Sequence, residues 1–140
     1  MKLEIKLLND KAKIPNYAHK GDAGFDLFSI SKVLVKKNSR AEVKTGIAMK
    51  IPKGCVGLIW DKSGLAIKFG IKTLGGVIDS GYRGEVIVGV YNTSNEDYVF
   101  EEGHKVAQML IQKVENPQIK IVKELDSTSR GEGGFGSTGK

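Results

Sequence analysis

Apolar and polar residues alternate with a period of two along most of this chain. In EVKTGIAMKI, Val43, Thr45, Ile47, Met49 and Ile51 share one face while Lys44, Gly46, Ala48 and Lys50 share the other, the pattern of a half-buried strand. Similar runs occur at LEIKLL, KVLVK, CVGLIW, GEVIVGVYN, KVAQMLIQKV and QIKIV, separated by the turn-forming clusters PKG, SNED, EEGH and ENPQ. The expected fold class is all-β, a jelly-roll-like β barrel. Only SGLAIKFG suits a helix, of one or two turns, with Gly70 placed for the C-cap. No internal repeat is visible.

The chain ends differently. SRGEGGFGSTGK, residues 129 to 140, holds a single large apolar residue, too little burial to offset the entropy of ordering a glycine-rich backbone. The 140 residues therefore divide into one β-barrel domain, 1–126, and a flexible glycine-rich C-terminal tail, 127–140. RGEGGFG matches GxGxxG at Gly131, Gly133 and Gly136, but only four residues follow, so no helix can complete a dinucleotide fold there.

Composition narrows the function. No apolar run approaches the roughly 20 residues of a membrane helix, and MKLEIKLLND has no apolar signal core. A cytoplasmic protein with no membrane partner is expected. Cys55 is the only cysteine, in an apolar run, and reads as an inert buried thiol. With only His19 and His104 beside it, no zinc site can be assembled, so any metal used is hard and oxygen-ligated. The net charge of +6 comes from scattered Lys and Arg, which favours an anionic ligand over a nucleic-acid footprint.

Five segments exceed what a β scaffold requires. DAGFDLFS sets Asp22 and Asp26 beside small residues, either as turn caps or as functional acids. DKSGLA brings Lys62, Ser63 and Gly64 to a helix start, where Ser63 serves as a cap or as part of a phosphate site. GGVIDSGYRGE sets Asp79 and Tyr82 among Gly75, Gly76, Gly81 and Gly84 in what reads as a tight hairpin. That hairpin is either plain structure or a backbone edge, at Gly76 and Val77, able to pair with a flat heterocycle such as uracil. In the second case Tyr82, projecting beside the base, would pack against the sugar and leave no room for a 2′-hydroxyl. In GHKVAQMLI, Gln108 interrupts an apolar strand and needs partners, from a ligand or a water network. In the tail, Arg130 suits a phosphate, Phe135 a base, and Ser137 and Thr138 phosphate oxygens, with Gly136 letting the backbone approach closely.

AGFDLFS, DKSGLA, GVIDSGYRGE, GHKVAQMLI and RGEGGFGSTG, in this order and spacing, resemble the five motifs of the homotrimeric dUTP diphosphatases (dUTPases). The resemblance spans residues 23 to 139. It implies hydrolysis of dUTP to dUMP and pyrophosphate, with Asp79 activating the water that attacks the α-phosphorus. It further implies Mg²⁺ on the triphosphate, with Asp26 acting on the metal through water and Gln108 nearby. Lys62, Ser63 and Gly64 would meet phosphate, Tyr82 would exclude ribose, and Phe135 would cover the uracil. The implied assembly is a homotrimer with sites at subunit interfaces, each tail closing over a neighbour's site. The chain departs from the usual Arg-Ser-Gly of the second motif, which often follows Pro: here the residues are Asp61-Lys62-Ser63-Gly64. Lys keeps the charge but loses the planar fork, and it is also placed to pair with Asp61.

Two other functions compete. A dCTP deaminase or bifunctional relative shares the fold, but carries a catalytic Glu on the strand after the hairpin where this chain has Gly89. A non-catalytic trimeric module binding nucleotide or nucleic acid has no need of a water-activating Asp79.

Overall fold

The structure, a computed structural model, describes residues 1–134. The elements run β1 (Glu4–Leu7), β2 (Phe25–Phe28), β3 (Val33–Val35), β4 (Arg40–Lys50), β5 (Cys55–Trp60), α1 (Ser63–Phe69), β6 (Ile71–Leu74), β7 (Val77–Asp79), β8 (Glu85–Asn92), β9 (Tyr98–Phe100) and β10 (Lys105–Lys113). Two four-stranded sheets, β1-β4-β8-β6 and β2-β10-β5-β7, and the ribbon β3-β9 make up the fold. The result is the expected jelly-roll-like all-β class with one short helix, though the sheets do not close into a barrel. No helix among the described residues is long and apolar enough to cross a membrane.

Alternation explains the core. In β8, Val86, Val88, Val90 and Asn92 point inward, while Glu85, Ile87, Gly89 and Tyr91 are more open. They meet Val43, Ile47 and Met49 of β4 and, from the other sheet, Phe25, Leu27, Ile59, Ala107 and Met109. Cys55 is buried in this cluster, as expected. The buried Asn92 amide is satisfied by the Val35 and Glu96 carbonyls at 3.1 and 2.7 Å.

Three expectations need correction. The strict alternation across Val43–Ile51 breaks at Gly46, where φ is +67° and the register to β8 shifts between Lys44 and Ala48. Gly46 and Ala48 are buried rather than exposed, and a Cβ at 46 would meet Ile30 Cγ2 at 2.8 Å and Ala12 Cβ at 2.9 Å. GGVIDSGYRGE is not a tight hairpin. β7 pairs with β5, whereas β8 pairs with β4 and β6, so the turn carries the chain from one sheet to the other. QIKIV forms no strand: nothing among the described residues pairs with it, and Ile119 and Ile121 are each 94% exposed. An alternating segment without a neighbouring strand has no ladder to complete.

α1 ends as expected, with Gly70 at φ +66° donating its N–H to the Ala66 carbonyl at 3.1 Å. Its start differs. Lys62 is the N-cap and makes no side-chain cap bond, and Ser63 is the first helical residue, so the capping role for Ser63 falls away.

Candidate active site

β7 is the outer strand of its sheet. Ile59 donates to the Gly76 carbonyl at 2.8 Å, and the ladder continues through Leu58 opposite Val77 and Val56 opposite Asp79. In an antiparallel ladder hydrogen-bonded pairs alternate, so the N–H and C=O of Val77 point away from β5. They form an open edge able to receive another donor–acceptor pair. Gly75 and Gly76, with φ of +68° and +106°, lead the chain into this strand. A Cβ at Gly76 would lie 2.8 Å from the Ile59 carbonyl oxygen, so packing there requires glycine as well.

Asp79 ends β7, exposed, and its carboxylate makes no hydrogen bond or ion pair among the described residues. Its carbonyl accepts the Tyr82 N–H at 3.0 Å, closing the turn. The Arg83 guanidinium fastens that turn with bonds of 2.7 Å to the Ser80 and Tyr82 carbonyls. The Tyr82 hydroxyl donates to the Glu85 carbonyl at 3.0 Å. Val77, Ile78, Asp79, Tyr82, Glu85 and Ile87 line an open cavity of about 200 Å³.

A second group gathers on the same sheet, at its other side. Asp26 lies on β2, directly opposite Gln108 of β10. It is 4% exposed, with Lys62 Nζ 2.5 Å from Oδ1 and Lys105 Nζ 2.7 Å from Oδ2. The Lys105 contact is close but poorly aligned, so Oδ2 has charge beside it without a directed hydrogen bond. Burial pushes the Asp26 carboxyl up, but Lys105 and Lys62 together outweigh that and hold it below its ordinary value. Two ammonium groups on one carboxylate leave a net positive centre. Of the paired acids, Asp22 is the turn cap, its Oδ2 accepting the His19 N–H at 2.8 Å, and Asp26 is not.

Lys62 does not pair with Asp61. Asp61 instead accepts from Lys72 Nζ at 2.5 Å and from both N–H and hydroxyl of Thr73 at 2.7 Å, while its carbonyl accepts from Gln108 Nε2 at 2.8 Å. Burial opposes ionisation of Asp61, and these donors reverse the balance, so its pKa is lowered. The loop 61–64 is thereby tied to both β6 and β10. Gln108 is half-buried on the face away from the core, not inside it. Gly24 makes room for it: a Cβ there would lie 2.9 Å from Gln108 Oε1. Beyond Lys62, Ser63 and Gly64 are exposed, and the first helical N–H to find an intrahelical partner is that of Ala66. The earlier N–H groups remain available to an anion. Trp60, Asp61, Ser63, Ala66, Ile67 and Gln108 are among the residues lining an open cavity of about 450 Å³.

The expected site residues thus fall into two groups: Gly76, Val77, Asp79 and Tyr82 in one, Asp26, Lys62, Ser63, Gly64 and Gln108 in the other. β5 separates them, with Asp79 opposite Val56 and Gln108 opposite Trp60. Four residues along a strand and two strand spacings put them about 16 Å apart. In the tail, Arg130 is exposed and its Nε donates to the Gly133 carbonyl at 2.9 Å. Phe135, Gly136, Ser137 and Thr138 lie outside the described residues. Lys105 escaped sequence reasoning, and Asp61, considered only as a partner for Lys62, binds Lys72 and Thr73 instead. A bulge between Lys105 and Ala107 puts Lys105 on the same face as Gln108, which spacing alone predicts otherwise.

Among the described residues no cluster of three or more His, Cys, Asp or Glu could hold a metal by itself. Asp26 offers one hard-oxygen carboxylate, but Lys62 and Lys105 already face both of its oxygens, so it could meet a hydrated divalent ion only through water.

The dUTPase family model matches residues 10–139. The chain belongs to the dUTPase family. The deoxyuridine 5′-triphosphate nucleotidohydrolase of Clostridium kluyveri is 48% identical, over 99% of each chain. That of Paramecium bursaria Chlorella virus 1 is 44% identical, over 98% of this chain and 97% of its own. Among solved structures, a variant dUTPase of Staphylococcus bacteriophage 80alpha with dUpNHpp superimposes with a TM-score of 0.93 at 32% identity, covering 99% of both chains. A variant dUTPase of phage phi11 of S. aureus, described with a structural Mg(II) ion, gives 0.85 at 30% identity, over 91% of this chain and 100% of its own. In this dUTPase-family chain the departures from the usual second motif, Asp61 and Lys62, are the two residues that anchor the loop 61–64 to its neighbours.

Proposed function

We propose that this protein hydrolyses dUTP to dUMP and pyrophosphate, supplying dUMP and clearing dUTP from the nucleotide pool. The observation that carries the reading is the open β7 edge at Val77 beside the ring of Tyr82 and the carboxylate of Asp79, unpaired among the described residues. A uracil pairs with the Val77 backbone as a neighbouring strand would, and its 2′-deoxyribose packs on Tyr82. Asp79 takes a proton from a water whose oxygen attacks the α-phosphorus. The bond from that phosphorus to the bridging oxygen of the β-phosphate breaks, and pyrophosphate leaves with the electron pair. A positioned carboxylate base supplies about 10²–10⁴-fold in rate.

The triphosphate meets the N–H groups at Ser63 and Gly64 and the positive centre of Lys62, Lys105 and Asp26. Asp26 and Gln108 would hold Mg²⁺ through water, and the chemistry it would supply is charge neutralisation on the phosphates. Arg130, Phe135, Gly136, Ser137 and Thr138 close over the nucleotide and exclude water from the reacting centre.

The working unit is a homotrimer. One nucleotide bridges the catalytic group of one copy and the phosphate group of another more readily than two clusters about 16 Å apart across one sheet. The extended segment after β10, with Ile119 and Ile121 94% exposed and Leu125 86% exposed, supplies apolar surface for a neighbouring copy. The chain acts in the cytoplasm, as residues 1–126 with a tail from 127.

Pyrophosphate release from dUTP and dCTP, with Mg²⁺ and with chelator, tests the reading. Release from dUTP alone, abolished by chelator, is expected. Ammonia release from dCTP would instead favour a deaminase, although Gly89 on β8 carries no group to move a proton.

A further inference from the structure

Tyr82 is 44% exposed, so the core does not hold its ring. Its position comes from the turn. The Tyr82 N–H is bonded to Asp79, the side chain folds forward along the chain, and the hydroxyl reaches the Glu85 carbonyl at 3.0 Å. In doing so the ring crosses Gly84. A Cβ at residue 84 would lie 2.6 Å from Tyr82 Cζ and 3.0 Å from Cε2, inside van der Waals contact. The ring occupies the volume that any other residue's side chain would fill.

Backbone strain does not account for this glycine. Gly84 is absent from the positive-φ positions of the chain, so alanine is conformationally acceptable there. Gly75 and Gly76, by contrast, have positive φ. What alanine displaces at 84 is the free end of a partly exposed aromatic side chain, which relieves the clash by rotating outward.

We propose that Gly84 is a positioning residue for sugar selection: its bare Cα is the seat that holds the Tyr82 ring where a 2′-hydroxyl would collide with it. The inference rests on the dUTP-hydrolysing reading above and extends it to a residue that has no side chain of its own. Gly84 acts through Tyr82 alone, since the turn bonds of Asp79, Ser80 and Arg83 do not depend on the residue-84 side chain.

The test compares kcat and KM for dUTP and UTP in the parent, Gly84→Ala, Tyr82→Ala, Tyr82→Phe and the double variant Gly84→Ala/Tyr82→Ala. The expected result is an unchanged unfolding temperature for Gly84→Ala, dUTP turnover within a few-fold of the parent, and a dUTP-over-UTP preference reduced roughly tenfold. Tyr82→Phe, which keeps the ring in its seat, should hold most of the preference. In the Tyr82→Ala background Gly84→Ala should change nothing further, because the two act on one contact. An unchanged preference in Gly84→Ala overturns the inference, provided Tyr82→Ala lowers it, and so does an equal Gly84→Ala effect in the Tyr82→Ala background. A parent that hydrolyses dUTP and UTP alike rejects the role of Tyr82 and this inference with it, while leaving dUTP hydrolysis standing. A parent inert on dUTP rejects the reaction itself.

Discussion

Asp79 and Asp26 are both acids on edge strands of one sheet, and their surroundings differ in the way that the proposed roles require. Asp79 is exposed and unpaired among the described residues, whereas Asp26 is buried between two ammonium groups. A base must be free to take a proton; a paired carboxylate is held ionised and serves charge and position instead. Asp79→Asn should therefore keep fold and nucleotide affinity while turnover falls roughly 10²-fold or more, because an amide accepts no proton. Single-turnover rates alongside analogue binding check this, and near-normal turnover would remove Asp79 from the base role. Lys62→Arg should retain or raise activity, since a guanidinium fork can hold Asp26 and still face phosphate. Steady-state kinetics decide, with a large loss showing that the slot beside Asp26 fits only an ammonium. At this scale the sequence made the acids visible but not their partners. The lysine at 105 is brought to Asp26 by a bulge, and bulges leave no signature in an alternating pattern.

Among elements, the loop between β5 and α1 shows best what local patterning misses. Its Asp61 binds forward to β6 through Lys72 and Thr73, while its carbonyl binds β10 through Gln108. None of these neighbours is adjacent in sequence, so a period-two reading had no means of finding them. Strand identities in β4, β5, β8 and β10 were legible because burial on one face forces alternation. QIKIV carried the same signal and failed, because a strand needs a partner as well as a pattern. The Asp61 and Asp26 carboxyls are both held below their ordinary range, so each contributes stability that is present above the unfolded carboxyl pKa, near 4, and lost as pH falls through the folded one. Urea unfolding from pH 7 downward should show stability falling below about pH 4. Asp61→Asn keeps an acceptor for Thr73 but no titratable charge, so its curve should be lower at pH 7 and flatter below pH 4. Parallel curves would show that Asp61 makes no ionised contribution.

For the whole molecule, the segments after β10 should separate into two functions by where the chain is cut. Residues 127–134 are exposed or at most half-buried, and none of them joins the core cluster. Deletion after Ser129 should therefore leave unfolding temperature and oligomeric state nearly unchanged. If the tail closes over the nucleotide as proposed, activity should still collapse, because the cut takes away Arg130 and the cover over the reacting centre. Ending the chain at Lys113 also removes Ile119, Ile121, Val122 and Leu125, whose exposure in a single copy makes sense if a second copy covers them. That shorter protein should keep its strands by circular dichroism yet sediment as a smaller species, because the core closes within residues before 114. Sedimentation, unfolding and dUTP turnover measured on the two truncations decide between the roles. Full activity after the cut at Ser129 would reject the closing tail. A trimer surviving the cut at Lys113 would mean that the copies meet through the sheets and that the exposed segment serves something else.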